Sequence, residues 1–142
     1  MYPKVRPIHS APVEPQLHAP VWLPPGETEL AVISYQVGKQ YNRGVVTVWF
    51  KAVEFGGVVV PAYYNVRMKG KKAFAAPRGS RLVAEFRRLF CEPLGRLDRF
   101  PMHWLNSRSF IGEIGTVTTD SEQNAREDGA EYSVVRKLVK CI

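Results

Sequence analysis

The chain has 142 residues, 45% hydrophobic and 23% charged, with a formal net charge of +7 and an isoelectric point near 9.6. These values are typical of one globular domain that buries its own core. The longest apolar runs, such as residues 56–64, are too short to cross a bilayer. We therefore expect a cytoplasmic protein with no signal peptide and no membrane contact. Its positive charge favours an acidic partner, of which nucleic acid is the commonest.

The first 25 residues predict an arm that precedes the domain formed by residues 26–142. Proline fixes φ and removes a backbone donor, so neither a helix nor a central strand is expected here. We expect an extended, polyproline-II-like conformation instead. The arm is either a flexible leader or, because it carries Trp22 and Leu23, a segment held on the domain or on a neighbouring subunit. The segment contains seven prolines: Pro3, Pro7, Pro12, Pro15, Pro20, Pro24 and Pro25.

Three runs rich in β-branched and aromatic residues then predict an antiparallel meander. They cover residues 27–37, 43–54 and 58–67, with turns at residues 38–42 and 55–57. Alternation predicts that Ile33 and Tyr35 face the core from the first strand, and Phe50 and Tyr64 from the next two. Pro61 cannot donate to a ladder, so it predicts a sheet edge or a bulge.

One helix and two further strands complete the predicted elements. Ser80 is a good N-cap for a helix over residues 81–91, which Pro93 and Gly95 would end. Apolar residues recur at helical spacing along it, while Arg87 and Arg88 lie off that stripe and predict an exposed face. Residues 109–119 predict a fourth strand and residues 132–141 a fifth, with a helix as the alternative for the last. The polar residues 120–131 predict a long acidic loop.

The order of three strands, one helix and two strands predicts a mainly β fold. It is the element order of an OB-fold, a five-stranded Greek-key barrel, here with the helix between strands 3 and 4. The helix would plug the bottom of the barrel. The alternatives are another small β-barrel and an α+β sandwich.

Residues 26–67 resemble the single-stranded-DNA-binding proteins of phages and mobile elements. The residues that carry the resemblance are GETEL at 26–30, the Gly-rich turn at 38–44 and VEFGG at 53–57. They match an opening Gly-x-Tyr/Thr-x-Leu strand, a Lys/Asn/Gly turn and an acidic Gly-rich hairpin. The resemblance implies an OB-fold that binds single-stranded DNA. Many of these relatives end in an acidic tail, whereas residues 136–142 are basic.

The charge pattern and the expected fold together predict a binding groove. Residues 36–112 contain fourteen Lys or Arg and four acids, whereas residues 113–131 contain six acids and one Arg. The groove of an OB-fold crosses strands 2 and 3, where cations neutralise phosphates and aromatic rings stack on bases. We therefore predict a nucleic-acid-binding site made of Lys39, Tyr41, Arg43, Trp49, Lys51, Tyr63, Asn65, Arg67, Lys69, Lys71 and Lys72.

Plainer interpretations accompany this prediction. In these alternatives, Trp49 and Tyr63 pack under the arm or against a subunit of a homodimer and bind no base. Residues 69–72 are then an ordinary solvated turn. The alternative function is a non-catalytic, protein-binding OB-like module, an inhibitor or assembly factor, that uses the arm or the acidic loop. If Trp49 and Tyr63 are exposed on the same face as Lys51 and Arg67, nucleic-acid binding is favoured over the protein-binding module.

Catalysis and metal binding find little support in the sequence. Cys91 and Cys141 form no metal-ligand spacing with each other or with the scattered histidines, so we expect reduced thiols and no metal or cofactor. No P-loop, HExxH or GxSxG pattern occurs. We therefore expect that the chain is not an enzyme.

Overall fold

A computed structural model describes residues 21–40, 42–71, 73–117 and 132–142 of the chain. Within these residues, six antiparallel strands form one sheet in the order β4-β3-β2-β1-β5-β6. No helix of this described part is long and apolar enough to cross a membrane. The elements are β1 (Gly26–Gln40), β2 (Arg43–Ala52), β3 (Val58–Met68), β4 (Phe74–Ala75), α1 (Arg81–Phe90), β5 (Ser109–Val117) and β6 (Tyr132–Cys141), with 3-10 turns at Val53–Phe55, Leu97–Arg99 and Met102–Leu105.

The predicted mainly β fold is confirmed, but the closed five-stranded barrel is wrong. All five predicted strands and the single helix are present in the expected order, and the last element is a strand. The sheet is open across the described residues, with β4 and β6 at its two edges. The additional strand β4 pairs with Arg67 and Met68 at the C-terminal end of β3. β6 nevertheless packs against β3 and α1, so the sheet curls around the core.

A bulge in β1 moves its buried face from one set of alternating residues to the other. The register with β2 shifts between Val32 and Ser34, which leaves Ile33 as the extra residue, 41% exposed. Leu30 before the bulge and Tyr35 after it both lie on the core side. The predicted core face of β1 is therefore correct after the bulge and wrong before it. The prediction assumed strict alternation of side chains, and one extra residue reverses which side chains face the core.

The helix follows its sequence signals. Ser80 caps it by accepting a hydrogen bond from the Val83 amide, and Cys91 ends it in the left-handed conformation at φ 52°. Its apolar stripe enters the core, where the ring of Phe86 lies 4.5 Å from that of Phe100. The α1 face opposite this stripe is exposed, as predicted.

Glu85 of α1 connects β3 to β6 inside the core. Its Oε1 accepts a hydrogen bond of 2.7 Å from the Tyr64 hydroxyl, and its Oε2 lies 3.2 Å from Nε of Arg81. The backbone of Leu138 in β6 lies close enough to lower the pKa of this carboxyl group, and Arg88 donates to the Leu138 carbonyl oxygen. Burial raises the pKa of Glu85 above its ordinary value, against the opposing effects of Tyr64 and Arg81. Side chains of α1 thus bridge two strands that no ladder joins in the described part of the fold.

The end of the arm lies against β6. The Ser133 amide donates to the Val21 carbonyl oxygen at 2.7 Å, and the Leu23 amide donates to the Ser133 hydroxyl, also at 2.7 Å. Leu23 is buried in the core cluster. Residues 1–20 of the predicted 25-residue arm, and the predicted acidic loop at 120–131, lie outside the described residues, so their conformations stay predictions.

Candidate nucleic-acid interface

The strand register puts the predicted groove residues of β2 and β3 on one face of the sheet. Trp49 lies opposite Pro61 and Thr47 lies opposite Tyr63. The neighbouring pairs, Val46 with Tyr64 and Phe50 with Val60, belong to the core. Because side chains alternate across a strand, the other face carries the predicted residues. They are Arg43, Trp49, Lys51, Tyr63, Asn65 and Arg67.

Four of the predicted residues meet in an open pocket of about 570 Å³ at the end of the β1–β2 hairpin. Lys39 comes from β1, Arg43 from β2, and Asn65 and Arg67 from β3. We call this concavity the hairpin pocket. Its remaining lining residues are Asn42, Gly44, Val66, Met68 and Pro77.

The hairpin pocket is positively charged. Three of its lining residues, Lys39, Arg43 and Arg67, carry cationic side chains that are exposed to solvent, and no lining residue is acidic. Asn42 and Asn65 add amide groups that both donate and accept hydrogen bonds. Guanidinium and ammonium groups without a carboxylate among them suit an anion such as phosphate.

Gly44 allows the backbones of β2 and β3 to approach each other beneath this pocket. A Cβ at position 44 would lie 2.6 Å from the Val66 carbonyl oxygen and 2.7 Å from Cγ of Met68. Real Cβ atoms essentially never come this close to another atom, so a side chain at position 44 would force its neighbours to shift. Asn42 makes the preceding turn at φ 65°, a left-handed conformation for which asparagine is enriched. These two residues set the position of Arg43 between them.

The two described lysines of the loop after β3 have different surroundings. Nζ of Lys69 lies 3.1 Å from Asp98, which also accepts a 2.6 Å bond from Arg96. The hydrogen bond from Arg96, with that from Lys69, holds the pKa of Asp98 below its ordinary value. Lys69 is therefore engaged in an ion pair, whereas Lys71 is exposed. Tyr41 and the side chain of Lys72 lie outside the described part of the chain.

Trp49 is less accessible than its position on the outer face predicts. It is 3% exposed, and its β2 neighbours Val45 and Thr47 are also buried. Tyr63 is half-buried, while Lys51 and Asn65 are exposed. Base stacking on Trp49 would therefore require its indole to become accessible, so its predicted role stays a prediction.

Sequence reasoning passed over five of the nine residues that line the hairpin pocket, namely Asn42, Gly44, Val66, Met68 and Pro77. Gly44 had a usable signal, since a glycine inside a strand often marks a close backbone approach. The described residues contain no group of three His, Cys, Asp or Glu side chains that could hold a metal ion. Cys91 and Cys141 are free thiols.

Comparisons of the whole chain with models of protein families, with curated proteins and with solved structures returned no match.

Proposed function

We propose that the chain is a sequence-tolerant single-stranded nucleic-acid-binding protein, with single-stranded DNA as its ligand, and that it belongs to a phage or mobile element. The observation that carries the proposal is the hairpin pocket, where Lys39, Arg43 and Arg67 meet without an acidic neighbour among the lining residues. A phosphate group of the strand would occupy this pocket. Tyr63 and Lys51 lie further along the same face of β2 and β3, where a longer strand would reach them.

The topology supports an OB-like arrangement for this role. β1, β2 and β3 form a meander, α1 follows it, and β5 pairs with β1 and β6. OB-folds are partly open barrels whose second and third strands face the ligand. Here β6 packs against β3 without a ladder between them in the described residues, and Glu85 and Arg88 span the two strands through Leu138. The proposed ligand surface is the exposed part of the outer face of β2 and β3.

One observation favours the alternative function, a non-catalytic protein-binding module. Trp49 is almost fully buried, so the largest aromatic side chain on the outer face of β2 is not presented to a base. Binding through the hairpin pocket alone would suit an acidic peptide as well as a phosphodiester, because both present anions.

A binding panel separates the two functions. Fluorescence anisotropy would measure the dissociation constants of labelled oligo-dT, oligo-dA and mixed single strands, with a matching duplex and an Asp/Glu-rich peptide of equal charge as competitors. The proposal predicts affinities that differ little among the single strands and exceed those for the duplex and the peptide. A peptide that competes as well as an unlabelled single strand would overturn it in favour of the protein-binding module.

A further inference from the structure

Trp22 differs from every other aromatic side chain that the structure describes. It is 59% exposed, whereas the rings from Tyr35 to Tyr132 within the described residues are buried or half-buried. Its neighbour Leu23 is 5% exposed and belongs to the core cluster. One residue of this segment is thus anchored in the protein while the adjacent indole faces solvent.

Hydrogen bonds on both sides fix the backbone at Trp22. The Val21 carbonyl oxygen accepts from the Ser133 amide at 2.7 Å, and the Leu23 amide donates to the Ser133 hydroxyl at 2.7 Å. The same hydroxyl donates to the Leu23 carbonyl oxygen at 3.2 Å. An aromatic platform held in place in this way loses little conformational entropy when a flat ligand stacks on it.

A cation lies close to this anchor. Thr116 of β5 pairs with Ser133 of β6, and Nη2 of Arg136 donates to the Thr116 carbonyl oxygen at 2.8 Å. Arg136 is exposed, and its side chain runs over Gly115, where a Cβ would collide with it. The pair of Thr116 and Ser133 thus links the two groups: Ser133 holds the backbone on both sides of Trp22, and Thr116 accepts a hydrogen bond from Arg136.

We infer that Trp22 and Arg136 form a second nucleic-acid contact, in which a base stacks on the indole and its phosphate meets the guanidinium group. This inference rests on the proposed function and adds a contact at β6 to the one at the hairpin pocket. Stacking on an exposed aromatic ring is tolerant of sequence, because every base has a π-face. The contact thus supplies a stacking platform while Trp49 is buried.

The test combines affinity with intrinsic fluorescence, using the full chain and oligo-dT of increasing length. Trp22→Ala is expected to weaken binding about 5-fold to 150-fold, the range for one lost stacked base, and Trp22→Phe to weaken it less. Oligo-dT is expected to quench part of the wild-type tryptophan emission, and this part is expected to disappear in Trp22→Phe even when that variant is saturated. Ile142→Ala, which truncates another exposed apolar side chain, is the matched control.

The outcomes distinguish failure of this inference from failure of the proposed function. If wild type and Trp22→Ala bind oligo-dT equally well, the inference is overturned and the proposed function stays intact. Quenching that is identical in Trp22→Phe would do the same. Wild-type protein that binds no oligo-dT at low salt would remove both. Because Trp22 is exposed, its replacement leaves the core intact, which circular dichroism of each variant checks.

Discussion

Replacing Gly44 by alanine tests the close approach of β2 and β3 beneath the hairpin pocket. The new Cβ would lie 2.6 Å from the Val66 carbonyl oxygen, about 0.8 Å short of the 3.4 Å at which ordinary contact begins. That oxygen and the Met68 amide, at 3.2 Å, are backbone atoms, so the strands themselves must separate. Overpacking of this kind destabilises a protein by about 1–3 kcal/mol.

Thermal unfolding measures this effect directly. In chains of roughly this size each kcal/mol shifts Tm by about 2–4 °C, so Gly44→Ala is expected to lower Tm by about 2–12 °C. Gly38→Ala is the matched control, because a Cβ at Gly38 would meet nothing within 4 Å. Its Tm is expected to stay unchanged or rise slightly, since alanine restricts the unfolded chain. Equal Tm values for the two variants would refute the packing argument.

Two further predictions concern the bonds that hold the arm and the helix in place. Ser133→Ala removes the buried hydroxyl that bonds to the Leu23 amide and carbonyl, and is expected to cost about 1–3 kcal/mol in urea unfolding and to speed hydrogen exchange at Leu23; an unchanged Leu23 exchange rate would contradict the anchor. Because burial raises the pKa of Glu85 above its unfolded value of about 4.3, the stability it contributes is fully present below that pH and is lost as pH rises through the raised pKa. Glu85→Gln keeps the shape of the side chain near Tyr64, Arg81 and Arg88 but cannot ionise. The unfolding free energy of this variant is therefore expected to lose the decrease that wild type shows as pH rises. A variant whose unfolding free energy falls with pH in parallel with that of wild type would contradict the prediction.

Local sequence signals were sufficient for five of the six strands and for α1, and for four of the nine residues that line the hairpin pocket. β-branched runs separated by glycine turns predicted the meander, and Ser80 with its apolar stripe predicted α1, because these preferences act over a few residues. Lys39, Arg43, Asn65 and Arg67 could be grouped because a meander brings its own turn and strand ends together.

Long-range pairing explains what the sequence could not supply. The bond between Leu23 and Ser133 joins residues 110 positions apart, and no local pattern encodes it. The burial of Trp49 likewise depends on what packs over the outer face rather than on alternation along β2. The two-residue strand β4 has no sequence signal of its own, yet it changes how the sheet ends at β3.

The salt dependence of oligonucleotide binding tests whether the hairpin pocket holds a phosphate group of the bound strand. The dissociation constant of single-stranded oligo-dT would be measured by anisotropy from low to moderate salt for wild type, Arg67→Gln and Arg87→Gln. Arg67 lines the hairpin pocket, whereas Arg87 is exposed on α1 and gives the same change in net charge. If Arg67 holds a phosphate, the slope of the logarithm of the binding constant against the logarithm of the salt concentration is expected to be shallower by about 0.7 in Arg67→Gln alone. Equal slopes in both variants, or no binding by wild type at low salt, would contradict the binding of a phosphate group in the hairpin pocket.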